Sequence, residues 1–165
     1  MDEESFRVFY AATSRPLWAY VARCSGDRSL ADDVVQDAYV RFLQSSLPVG
    51  ATDEHRKRYL FRIATNLLTD HWRKTKRDAP MPEAIEAERS RFHESHDMSR
   101  AFEALNEKER QLLWLAYVEE EPHKEIAAML GYKTDSVAPV LARARKKLAA
   151  LLRKGGLWTT AITKL

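Results

Sequence analysis

The chain has 165 residues, 45% of them hydrophobic and 31% charged, with 27 Lys+Arg against 24 Asp+Glu and a formal net charge of +3. That length holds one domain or two small ones. No apolar run reaches the roughly 20 residues of a membrane span, and the acidic start Met1-Asp2-Glu3-Glu4 is unlike a secretory signal. Cys24 is the single cysteine, so no intrachain disulfide can form; buried packing in a reducing cytoplasm is its expected lot.

Helical periodicity dominates, with neither an internal repeat nor an alternating strand, so an all-α fold is expected. A first helix over about residues 4–23 carries Phe6, Phe9, Tyr10, Leu17, Trp18 and Val21 on its apolar side, and Pro16 is expected to bend or split it. Ser25-Gly26-Asp27 reads as a turn. A second helix over about 29–44 turns Leu30, Val34, Val35, Ala38 and Phe42 inward, with Asp32 and Asp33 near the positive end of its dipole. Pro48 and Gly50 make 47–53 a loop. A third helix over about 54–76 carries Leu60, Ile63, Leu67 and Leu68. From 79 to 100 the pattern weakens, Pro80 and Pro82 prevent a continuous helix, and a linker, in part helical, is expected. Asn106 then stands three residues before Glu109, the form of a capping box, ahead of Leu112, Leu113, Leu115, Ala116 and Val118.

The stretch 123–137 (HKEIAAMLGYKTDSV) has the pattern of a helix-turn-helix. Ile126, Ala127 and Leu130 share one helical face. Gly131 can take positive φ at the turn, and Val137, Val140 and Leu141 restart an apolar face. The small Ala127 lets the two helices close, and a second helix held this way can enter the major groove of DNA. A plain helical hairpin in an all-α core is the bland alternative. The bare charges Arg143, Arg145, Lys146 and Lys147 that follow favour DNA.

Charge is segregated along the chain. Residues 1–55 hold 5 Lys+Arg against 9 Asp+Glu, and residues 56–78 hold 8 against 2. Residues 79–100 hold 3 against 5, and residues 101–165 hold 11 against 8. Two basic surfaces between acidic ones predict two contacts with a polyanion and an acidic face for another partner.

Three motifs now become specific. Residues 31–39 (ADDVVQDAY) and 58–73 (RYLFRIATNLLTDHWR) resemble successive helices of bacterial sigma factors. Residues 104–110 (ALNEKER) and the helix-turn-helix resemble the C-terminal domain of that family. Their order and spacing resemble the compact extracytoplasmic-function (ECF) group over about residues 5–152. The resemblance implies two small helical domains joined by a linker. Residues 1–78 would serve core polymerase and the −10 element, 79–100 the linker, 101–154 the −35 element, and 155–165 a tail.

It also implies roles. Asp33, Gln36 and Asp37, at i, i+3 and i+4 on one side of a helix, would dock on core RNA polymerase; a solvated helix face is the plain alternative. At −10, Arg58, Arg62, Arg73 and Lys74 would meet phosphates, Tyr59 and Trp72 would receive unstacked bases, and Asn66 would bond a base edge. Tyr59 stands where the family commonly has tryptophan, and Phe61 is as readily core. The loop 47–54 would hold a flipped base, and the acidic linker would run through the polymerase cleft or act as a solvated tether.

At −35, Lys133, Thr134, Asp135 and Ser136 would lie at the start of the recognition helix with Thr134 as its cap, and Arg143, Arg145 and Lys146 would hold phosphates. Here the chain departs from the family: Ala138-Pro139-Val140 replaces polar or basic residues. Recognition at −35 is then weak, altered in angle, or tuned to thymine methyls. Pro139→Arg is expected to strengthen general DNA binding, and an unchanged affinity and salt slope would show that Pro139 does not face DNA.

The implied partners are core RNA polymerase, promoter DNA and an anti-sigma protein. The alternatives are a sigma-like decoy that binds a regulatory partner without reading DNA, which Pro139 favours and the eight cations of 56–78 oppose, and an ordinary helix-turn-helix repressor. His93 and His96 stand three apart but not in the HExxH spacing of zinc proteases. They read as polar linker residues, and neither a metal, a cofactor nor catalysis is expected. The tail is expected to pack back on the C-terminal domain or to meet a partner.

Overall fold

The computed structural model describes residues 1–78 and 96–154, and these hold helices and loops with no strand among them. The chain divides into two compact units, 1–84 and 85–165, each with its own core. The expected all-α fold is what forms. The tail, the bulk of the linker and the His93 segment lie outside the described residues.

The first unit packs three helices against one another: α1 (Glu3–Ser25), α2 (Arg28–Gln44) and α3 (Asp53–Asp78). Local chemistry sets their ends. The Asp2 carboxylate accepts from the Ser5 amide at 2.8 Å and opens α1. Gly26 closes it at φ 70, a left-handed conformation that glycine takes without strain. Asp27 then caps α2 through the Leu30 amide. Asp32 and Asp33 lie beyond the first turn of α2, which holds no acidic residue, too far in to meet the positive end of its dipole. Pro16 neither splits nor ends α1. It removes a donor from the carbonyl of Ala12, and Ala12 is exposed, so water can take that donor's place.

Leu17, Tyr20, Val21, Ala31, Ala38, Leu60, Ala64 and Leu68 form the core; each large apolar side chain there contributes about 1.5–3 kcal/mol of burial. Phe9 stacks on Phe42 at 5.0 Å between centroids. Leu30, Ile63 and Leu67, expected inward, are half-buried, and Tyr10 is exposed. Two hydroxyl pairs tie the helices: Thr13 of α1 to Tyr39 of α2 at 2.7 Å, and Tyr20 of α1 to Thr65 of α3 at 2.8 Å.

The second unit holds α4 (His96–Glu103), α5 (Glu107–Tyr117), α6 (His123–Leu130) and α7 (Thr134–Lys154). Helix α4 begins inside the stretch read as linker, and its Ala101 is buried. The capping box at α5 forms in full: Asn106 Oδ1 accepts from the Glu109 amide and Glu109 Oε2 from the Asn106 amide, both at 2.9 Å. Val118, expected within α5, is its exposed C-cap. Ile126, Ala127, Val137, Leu141 and Ala144 close α6 on α7. Gly131 joins the two at φ 74 with nothing within 4 Å of a Cβ placed there, so its requirement is torsional and not steric.

Candidate functional site

Three surfaces arise from this scaffold. The first is the outer side of α2. With Ala31, Val34, Val35, Ala38 and Phe42 turned into the core, the 3.6-residue period leaves Asp33, Gln36 and Asp37 exposed on the opposite side. Val40 and Leu43 continue that side and are 49% and 53% exposed. Sequence reading missed these two. Their spacing of three and six residues beyond Asp37 was the signal, masked because both fit an ordinary apolar stripe. The face therefore joins acceptors to uncovered apolar groups.

The second surface is α3. Leu60, Phe61, Ala64, Thr65 and Leu68 are its buried side, which settles Phe61 as core. Arg58, Arg62 and Asn66 follow at steps of four, and Arg73 comes seven after Asn66, so all lie along one side. Arg62, Asn66, Arg73 and Lys74 are exposed, while Tyr59 and Trp72 are half-buried, with the Tyr59 ring 6.2 Å from Phe42. Arg58 reaches back to Glu54 at 2.6 Å. A pair of this kind near the surface is worth at most about 1 kcal/mol, so a phosphate can displace it. Asp70 puts one carboxylate beside these cations. Before α3, the Ala51 amide donates to the Pro48 carbonyl at 3.1 Å. Gly50 at φ 88 sits where a type II turn needs a positive φ, and this turn presents a fully exposed Val49.

The third surface is the start of α7. Lys133, Thr134 and Asp135 are exposed and Ser136 is half-buried. Thr134 is the first residue of the helix, one place further in than the cap position expected for it. Pro139 does not interrupt α7, and it and Ala138 are exposed. Arg143, Arg145 and Lys146 are exposed further on. Lys147 is engaged with both carboxylate oxygens of Glu109, at 3.1 and 3.2 Å. Lys108 lies 4.8 Å over the ring of half-buried Tyr132. Burial first, and Glu109 in addition, hold the Tyr132 phenol above its usual range against the pull of Arg143, so it stays a neutral O–H.

Among the described residues no group of three His, Cys, Asp or Glu is placed to hold a metal ion, and no helix is long and apolar enough to cross a membrane.

Residues 9–78 match the family model for Sigma-70 region 2, and residues 95–148 match that for Sigma-70, region 4. The ECF RNA polymerase sigma factor SigL of Mycobacterium tuberculosis is 34% identical over 67 residues, 41% of this chain, which spans 38% of the length of that relative. The ECF RNA polymerase sigma factor SigM of Bacillus subtilis is 22% identical over 156 residues, 88% of this chain and 94% of its own. The fold is shared with the sigma factor RpoE of Bartonella quintana, solved in complex with the anti-sigma factor NepR: TM-score 0.73 at 22% identity, over 91% of this chain and 98% of that one. With region 2 on the first unit and region 4 on the second, the chain belongs to the sigma-70 family, in its ECF group.

Proposed function

We propose that this chain is the promoter-specificity subunit of a bacterial RNA polymerase, directing −10 melting and transcription initiation in the cytoplasm. The observation that carries the reading is the pairing, in one chain, of an exposed basic side on α3 with a helix-turn-helix whose second helix is exposed at its start. The outer side of α2 docks on core polymerase through Asp33, Gln36 and Asp37, with Val40 and Leu43 adding apolar contact. Arg58, Arg62, Arg73 and Lys74 hold −10 phosphates, Tyr59 and Trp72 stack on unpaired bases, and Asn66 bonds a base edge. Lys133 through Ser136 address −35 bases, and Arg143, Arg145 and Lys146 address its phosphates. The phosphodiester chemistry is the polymerase's, and no step is assigned to this chain. An anti-sigma protein is the proposed regulator, supported by the RpoE–NepR complex of the same fold.

Exposed Pro139 favours a second reading, a decoy that meets only a regulatory protein. In vitro transcription with core polymerase on fragmented genomic DNA, with 5′ ends sequenced, separates the two. New starts sharing upstream −10 and −35 sequences are expected. A folded protein that binds core polymerase yet yields no start would leave the decoy.

A further inference from the structure

The recognition helix presents an unusual face. Val137 is fully buried and Leu141 nearly so, which turns the opposite side of the first two turns outward. That side includes Asp135, Ala138 and Pro139, all exposed, and half-buried Ala142. Three of these four are apolar. None is the Arg or Lys that reads guanine bidentately, nor the Asn or Gln that reads adenine. Lys133 precedes the patch and Arg143 follows it, both exposed, so the patch is flanked by cations able to meet phosphates. Helix α7 is continuous through Pro139, so this face is unbroken.

We propose that α7 reads pyrimidines. Ala138, Pro139 and Ala142 pack on thymine C5-methyl groups, and the Asp135 carboxylate accepts from one cytosine N4 amino group. This rests on the promoter-recognition reading above and names the bases of its −35 element. The fixed ring of Pro139 meets a methyl group without losing rotamer freedom, and its missing N–H costs the contact nothing.

The test uses holoenzyme formed from the full chain and core polymerase, on promoter fragments with a fixed −10 element and a randomised −35 region, selected by transcription. A thymine-containing −35 sequence with at least one cytosine on the contacted strand is expected. Replacing each selected thymine by deoxyuridine removes only the methyl group and is expected to weaken promoter binding about fourfold per contacted methyl. Asp135→Asn is expected to move the preference at the cytosine position toward adenine. Transcripts whose selected −35 region is guanine-dominated, is unselected, or tolerates deoxyuridine everywhere would overturn this inference and leave the sigma reading standing. No transcript from any fragment would sink both.

Discussion

At the scale of single residues, two buried hydroxyl pairs have a fixed direction. Thr13 donates to the Phe9 carbonyl at 2.7 Å and Thr65 to the Phe61 carbonyl at 2.8 Å. Each threonine has one proton to give, so Tyr39 and Tyr20 must be the donors in the pairs that join the helices. Tyr20→Phe removes one such donor and is expected to lower unfolding stability by about 1 kcal/mol in urea titration. Tyr39 adds a pH signature. Burial raises its phenol above 10.0 in the folded state. The neutral form is therefore favoured by folding. That stability is complete below pH 10.0 and is lost as pH climbs through the raised value. Tyr39→Phe should flatten this alkaline fall; an identical fall in the variant would place its origin elsewhere. None of this was legible in the sequence, because the partners lie 26 and 45 residues apart. The capping box of Asn106 and Glu109 was legible, since its geometry is closed within three residues.

At the scale of elements, legibility followed the strength of the apolar period. Helices α2 and α3 were readable to within a residue or two because Val34, Ala38, Phe42 and Leu60, Ala64, Leu68 repeat at helical spacing. Helix α4 was legible only as partial helicity of the linker: it has eight residues, and its buried anchor Ala101 is too small to stand out in a charged stretch. The expected split at Pro16 does not occur, because the carbonyl it leaves without a donor, that of Ala12, is exposed and can find water instead. The side of α3 carries its own prediction. Replacing Arg62, Arg73 and Lys74 together by glutamine should reduce the slope of log affinity against log salt for promoter DNA by about 2–3. All three are exposed, so stability should stay within about 0.5 kcal/mol. An unchanged slope would take α3 out of the phosphate contact.

At the scale of the whole molecule, a net charge of +3 conceals surfaces of opposite sign, an acidic one on α2 and basic ones on α3 and α7. They should separate by mutation. Asp37→Arg is expected to weaken assembly with core polymerase at least tenfold in a competition assay, while thermal unfolding of the free chain stays where it was. Equal assembly would mean that the acidic side of α2 is merely solvated. The bond between Lys147 and Glu109 bears on how such a protein can be re-engineered. Helix α7 is pinned part-way along its length to the N-terminus of α5, and the same carboxylate completes the capping box there. Helix α7 is accordingly no free-standing cassette. A chimera that grafts residues 134–154 onto a relative without Glu109 would lose this ion pair, worth at most about 1 kcal/mol, and would leave Glu109's second partner, Lys147, unmatched.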